Sequence, residues 1–183
     1  MFDNNMMPYE NSYYCPCAQG MQIYNPYCYP SSLWMFMPLC FYSHPIPKYD
    51  LKDYGPDPFV INIRQAAKQN ENFRLALWTG KHLQVTLMSI NIGDDIGLEV
   101  HPHLDQFLRV EQGQGLVLMG DHEDDLYYRK NVKEGYIIIV PAGKWHNILN
   151  TGCIPMKLYS IYAPPQHPYG TVQSIKPEEN HKE

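Results

Sequence analysis

Two blocks of this chain carry side chains able to do chemistry: Gly93-x5-Glu99-x-His101-x4-Gln106-x6-Gly113 and Gly135-x5-Pro141-x-Gly143-x2-His146-x3-Asn150. Two imidazoles, one carboxylate and one amide make a donor set for a divalent metal, with positions left for water or substrate. That set is associated with non-haem Fe(II), and Mn(II), Ni(II), Co(II) or Zn(II) accept the same atoms. Glu99, His101, Gln106 and His146 are therefore the candidate metal ligands. Glu99 and Gln106 are also the catalytic candidates. A carboxylate can serve as ligand or base, whereas an amide takes up no proton and would coordinate or orient a bound water.

Strands must position these groups. Side chains alternate faces along a strand, so a strand over Gly97–His103 would put Glu99, His101 and His103 on one side. Gln106, Leu108 and Val110 share a face, with Phe107 and Arg109 opposite. After the turn Pro141-Ala142-Gly143, His146 opens a strand with Ile148 and Asn150 on its side. Polar groups aimed into an apolar barrel are costly unless paired or metal-bound. Further strands are predicted over Phe73–Trp78, Leu83–Ile92, Phe107–Met119, Leu126–Tyr128, Gly135–Val140, Trp145–Leu149 and Met156–Tyr162. Val60–Ile63 is short, β-branched and strand-like, and Arg64–Asn70 is predicted as a brief helix. Many short strands joined by glycine turns indicate an all-β sandwich or barrel.

The two blocks resemble the paired motifs of the cupin superfamily, G-x5-H-x-H-x(3,4)-E-x6-G and G-x5-P-x-G-x2-H-x3-N. The second is matched at every fixed position. In the first, Glu99 stands where a His is expected and Gln106 where a Glu is expected. The resemblance covers roughly Leu83 to Pro164, and Tyr162-Ala163-Pro164-Pro165-Gln166-His167-Pro168 is similar to the tail of a bacterial subgroup labelled mannose-6-phosphate-isomerase-like. It implies a double-stranded β-helix, the jelly-roll barrel. It also implies a metal site of two imidazoles, one carboxylate and one amide in place of the usual three imidazoles and one carboxylate. A homodimer, which would hide exposed edge strands, is expected with it.

The remaining sequence bounds the function. The chain divides into a Tyr/Met/Pro/Cys-rich arm (1–45), the barrel (46–172) and a polar tail (173–183). A net charge of -5 argues against nucleic-acid binding, which needs a basic face. No apolar run is long enough to cross a membrane. Four of five cysteines (Cys15, Cys17, Cys28, Cys40) fall in the arm and only Cys153 in the barrel, so no disulfide framework is expected and a cytoplasmic location is, with a spore association as the variant. His103 reads as a rim residue; His44, His82, His167 and His181 read as surface residues, and Asp121-His122-Glu123-Asp124-Asp125 as a hairpin tip. The expected ligand is a small molecule, in a metal-dependent isomerase-like or oxygenase-like enzyme. For a sugar phosphate the nearby cations are Lys144 and Arg109, the latter of the wrong parity. Non-catalytic metal or ligand binding, and a structural role in a spore or cell-envelope layer, are the alternatives.

Overall fold

The structure, a computed structural model, describes residues 47–177. The expectations on the 1–45 arm with its four cysteines, and on His44 and His181, lie outside the described residues. A short helix, α1 (Ile63–Gln69), precedes the strands β1 (Arg74–Thr79), β2 (Gln84–Ile90), β3 (Glu99–Val100), β4 (Asp105–Gln112) and β5 (Gln114–Gly120). They are followed by β6 (Tyr128–Lys133), β7 (Ile137–Val140), β8 (Trp145–Asn150), β9 (Met156–Ala163) and β10 (Val172–Gln173). One sheet runs β10-β1-β2-β9-β4-β7 and the other β3-β8-β5-β6, antiparallel throughout. This is the expected double-stranded β-helix. Among the described residues no helix is long and apolar enough to cross a membrane.

Four local expectations are corrected. The run Phe107–Met119 is not one strand: Gly113, at φ +85, breaks it into β4 and β5, which belong to different sheets. A Cβ there would sit 3.1 Å from the Met156 Cα, so glycine supplies both the left-handed turn and the close approach. Val60–Ile63 is not a strand. Asn62 accepts a hydrogen bond from the Gln65 amide through its side chain, and this N-cap starts α1 at Ile63 despite the β-branched run. The expected strand Gly97–His103 contracts to Glu99–Val100. Leu126–Tyr128 gives way to β6, an exposed edge strand whose lysines escape an apolar-periodicity reading and suit an unpaired edge.

Two apolar layers hold the sheets. Inside, Met88, Leu108, Val110, Ile138 and Leu158 of the first sheet meet Val117, Met119, Val132 and Ile148 of the second. Outside, Leu75, Leu77 and Leu87 are covered by Ala66 and Ala67 of α1 and by Tyr49, Leu51, Phe59 and Ile61. The inner face of the first sheet is graded in register. Gln84, Tyr162 and Gln106 form one rung, Thr86, Ser160 and Leu108 the next, and Met88, Leu158 and Val110 the third. One end of the barrel is therefore polar and the other hydrocarbon.

Asn150, the last fixed residue of the second block, does structural duty. Its amide donates to the carbonyls of Ile90 (3.0 Å) and Ile154 (2.9 Å), and its oxygen accepts from the Gly152 amide (2.9 Å). Asn150→Asp would set carboxylate oxygens against those carbonyls. We expect a loss of about 2 kcal/mol or more in urea unfolding; an unchanged midpoint would show that these bonds do not hold the fold.

Candidate metal centre

The two blocks meet on a single rung. Glu99 of β3 lies directly opposite His146 of β8, so their side chains share a face although the sequence separates them widely. His101 follows two residues after Glu99 and its carbonyl accepts from the Gly143 amide at 2.9 Å, tying the ligand segment to the Pro141–Gly143 turn. Glu99 Oε1 lies 3.4 Å from His101 Nε2 and 3.4 Å from His146 Nε2. One ligand atom from each of the three residues falls within 4.8 Å of the others.

These atoms fit a metal. Glu99 Oε1, His101 Nε2 and His146 Nε2 are buried and have no hydrogen-bond partner, a costly state for polar atoms in a barrel. A separation of 3.4 Å exceeds a good hydrogen bond. It is close to the roughly 3.0–3.5 Å between adjacent ligands of an ion bound at about 2.1 Å. His146 Nδ1 lies 3.0 Å from the Lys144 carbonyl, which can only accept. That contact puts the proton on Nδ1 and turns the Nε2 lone pair toward the centre. Burial pushes the Glu99 carboxyl upward, but the two imidazoles and the Arg74 guanidinium more than reverse this and hold it well below the usual carboxylate range.

Gln106 is fully buried on the polar rung of the first sheet, its Nε2 donating to Ser160 Oγ at 3.0 Å and its Oε1 unpaired. His103 is exposed, as expected of a rim residue. The two basic candidates do not enter the site. Lys144 Nζ is hydrogen-bonded to Asp121, and Arg109 lies 3.5 Å from Glu111.

Three residues at this end of the barrel escaped the sequence reading. Arg74 is buried on the inner face of β1, with Nη2 3.8 Å from Glu99 Oε2. Its signal was strand parity: Leu75 and Leu77 claim one face, leaving Arg74 and Ala76 the other. Tyr162 packs edge-on to His101, with ring centroids 5.7 Å apart. Burial, followed by the negative charge of Glu99, pushes its hydroxyl up to about 12. His167 corrects an expectation. It is not a surface residue but packs edge-on to Tyr162 at 5.2 Å, with Nε2 buried and unpaired. Burial, then the Arg74 charge, pushes it down to about 4, so its imidazole is neutral at ordinary pH.

A family model described as Cupin domain matches residues 86–162, which include all four expected ligands. The chain is 65% identical over 126 residues to the uncharacterized protein YrkC of Bacillus subtilis (strain 168), covering 69% of this chain and 68% of that one. It is 36% identical over 121 residues to an uncharacterized protein of Acanthamoeba polyphaga mimivirus, covering 66% of this chain and 74% of the relative. The crystal structure of BH2720 from Bacillus halodurans is 63% identical, with a TM-score of 0.68 over 69% of this chain and 96% of that one.

The loop bearing His167 is held by buried Gln84. Its Nε2 donates to the His167 carbonyl (2.8 Å) and its Oε1 accepts from the His167 amide (2.9 Å) and the Gln166 amide (3.3 Å). In Gln84→Leu we expect those two amides to exchange about 10-fold faster or more, read by hydrogen exchange. Unchanged protection would mean that the loop is held by other contacts.

Proposed function

This chain belongs to the cupin superfamily, and we propose that it is a divalent-metal-dependent enzyme acting on a small molecule, with Glu99, His101 and His146 as metal ligands. The observation that carries this is the convergence of three buried, partnerless ligand atoms within 4.8 Å. A divalent ion bound there would act as a Lewis acid on an oxygen of the substrate or would bind O₂. The chain supplies the rest of the site. Glu99 provides the negative ligand, and as a ligand it is not free to serve as the base. Tyr162 keeps its proton at neutral pH, with a hydroxyl pushed up to about 12, and can donate it in a hydrogen bond to a substrate oxygen. Gln106, tethered by Ser160, offers Oε1 as a weak further ligand or as an acceptor for a bound water.

The test is metal analysis of protein purified without chelator or nickel resin. Glu99→Ala, His101→Ala and His146→Ala are expected to weaken metal binding by about 100-fold or more, and Gln106→Ala by about 10-fold. Stoichiometric metal in His146→Ala would make the ligand set wrong. Chelation of the loaded protein should lower its unfolding temperature, because an ion at 100 times its dissociation constant contributes about 2.7 kcal/mol to stability.

The protein is also read as a homodimer. The support is β7, which pairs with β4 alone among the described residues and turns Ile137 and Ile139 outward, 58% and 53% exposed. Light scattering on Ile139→Lys is expected to give the monomer mass, with β-sheet circular dichroism retained. A dimer mass for that variant would exclude this edge as the contact.

A further inference from the structure

Arg74 is a buried charged side chain whose hydrogen-bonding capacity is only partly met, although Glu99 lies near enough to share its charge. It is 6% exposed, and its Nη1 is held by Gln173 Oε1 at 3.2 Å. Nε and Nη2, which form the other edge of the guanidinium plane, have no hydrogen bond. Glu99 does not fill that role, since Nη2 stands 3.8 Å from Oε2, beyond hydrogen-bonding range. A buried guanidinium edge with two unmet donors is a large cost in the free protein and a ready fork for a planar anion.

We propose that Arg74 is the carboxylate-binding residue of this site and that the ligand of the barrel is a small carboxylate. The inference rests on the metal centre proposed above and names the class of molecule that shares it. Three further observations point the same way. Buried polar atoms within the field of Arg74 lack a well-formed hydrogen bond and are open to a carboxylate: Tyr162 Oη, which neighbours the Thr86 and Ser160 hydroxyls, and His167 Nε2. A divalent ion, one carboxylate and one guanidinium leave the loaded site with surplus positive charge, which an anion neutralises and a neutral sugar does not. A phosphate would call for additional cations, and the two basic residues nearest in sequence are spent elsewhere, Lys144 on Asp121 and Arg109 on Glu111. Arg74 stands in register with Met88, beside the apolar Leu158 and Val110, and its Nη2 reaches to 3.8 Å from Glu99 Oε2, so the free fork is presented toward the polar end. With its carboxylate on the Nε/Nη2 edge, the rest of the ligand lies beside Glu99 and therefore beside the metal ligands.

Isothermal titration of the full chain, chelator-treated and then reloaded with Mn(II), tests this with pyruvate and oxalate, the neutral analogue pyruvamide, and inorganic phosphate. We expect the two carboxylates to bind the loaded protein at least about 30-fold more tightly than pyruvamide, and more tightly than phosphate. Arg74→Gln is expected to lose about 30-fold for the carboxylates while still taking up Mn(II), and Arg74→Lys, which keeps the charge without the fork, about 10-fold. Unchanged carboxylate affinity in both variants would overturn the inference, as would tighter binding of phosphate or pyruvamide, or no binding of either carboxylate. Mn(II) uptake is read in the same titrations. Failure of the metal centre shows as no uptake in the wild type, and failure of the subsite as uptake without Arg74-dependent carboxylate binding.

Discussion

Three lone pairs buried without a donor are the constraint on which this molecule turns. Oxygen and nitrogen atoms at Glu99, His101 and His146 have been taken out of water and given nothing in exchange from the protein. The fold supports that arrangement with effort. Glu99 and His146 oppose one another across the two rungs of β3 and β8, a pairing too short to hold by itself. It is braced on one side by the Gly143 amide donating to the His101 carbonyl, and on the other by the Asn150 amide donating to the Asp94 carbonyl, the Gly93 amide to the Asn150 carbonyl and the Ile96 amide to the Ile148 carbonyl. Three such atoms fixed so close together are the donor set that the proposed metal centre would use.

The graded interior gives those atoms their electrostatic weight. Hydrocarbon at one end of the barrel excludes water, so charges at the other end interact more strongly than they would at a surface. The consequences differ from group to group. Glu99, between two imidazoles and a guanidinium, is driven toward its ionised form despite its burial. For Tyr162 and His167 burial outweighs the compensating neighbours, Arg74 with the Ser160 and Thr86 hydroxyls for the first and Glu99 for the second, and both are driven toward their neutral forms. One small volume therefore holds a fixed anion, a protonated phenol and an uncharged imidazole at the same pH.

The architecture was legible because glycine turns and apolar alternation are local signals, and the convergence of Glu99, His101 and His146 because the spacing of both blocks matches a known pattern at many positions. What escaped lay where local signals are silent. β6 is almost wholly polar, so apolar periodicity could not mark it. Gly113 was readable as a turn, but that it moves the chain from one sheet to the other is a property of the assembled barrel. Asn62 outweighed a β-branched run because a helix cap satisfies a backbone amide that Val60 and Ile61 cannot. Arg74 and His167 lie outside both blocks, one before and one after, and only the closed barrel brings them to Glu99 and His101. His167 could not be told from His82 in the sequence; the difference between them is Gln84, whose side chain clamps one of the two loops.

Arg74 gives the departure from the usual cupin pattern an electrostatic setting. That pattern places a carboxylate at position 106 and an imidazole at position 99, and here the carboxylate has changed places. At 106 the neighbours include Ser160 Oγ, which accepts from the Gln106 amide, and Tyr162 across the strand, both neutral. At 99 the carboxylate faces the guanidinium as well as the two imidazoles. A cation buried on β1 is stabilised by a carboxylate beside it, and an amide at 106 satisfies the serine without adding charge. The same placement leaves Glu99 too far from Arg74 to saturate it, at 3.8 Å, so the guanidinium is held near the metal ligands yet keeps a free edge.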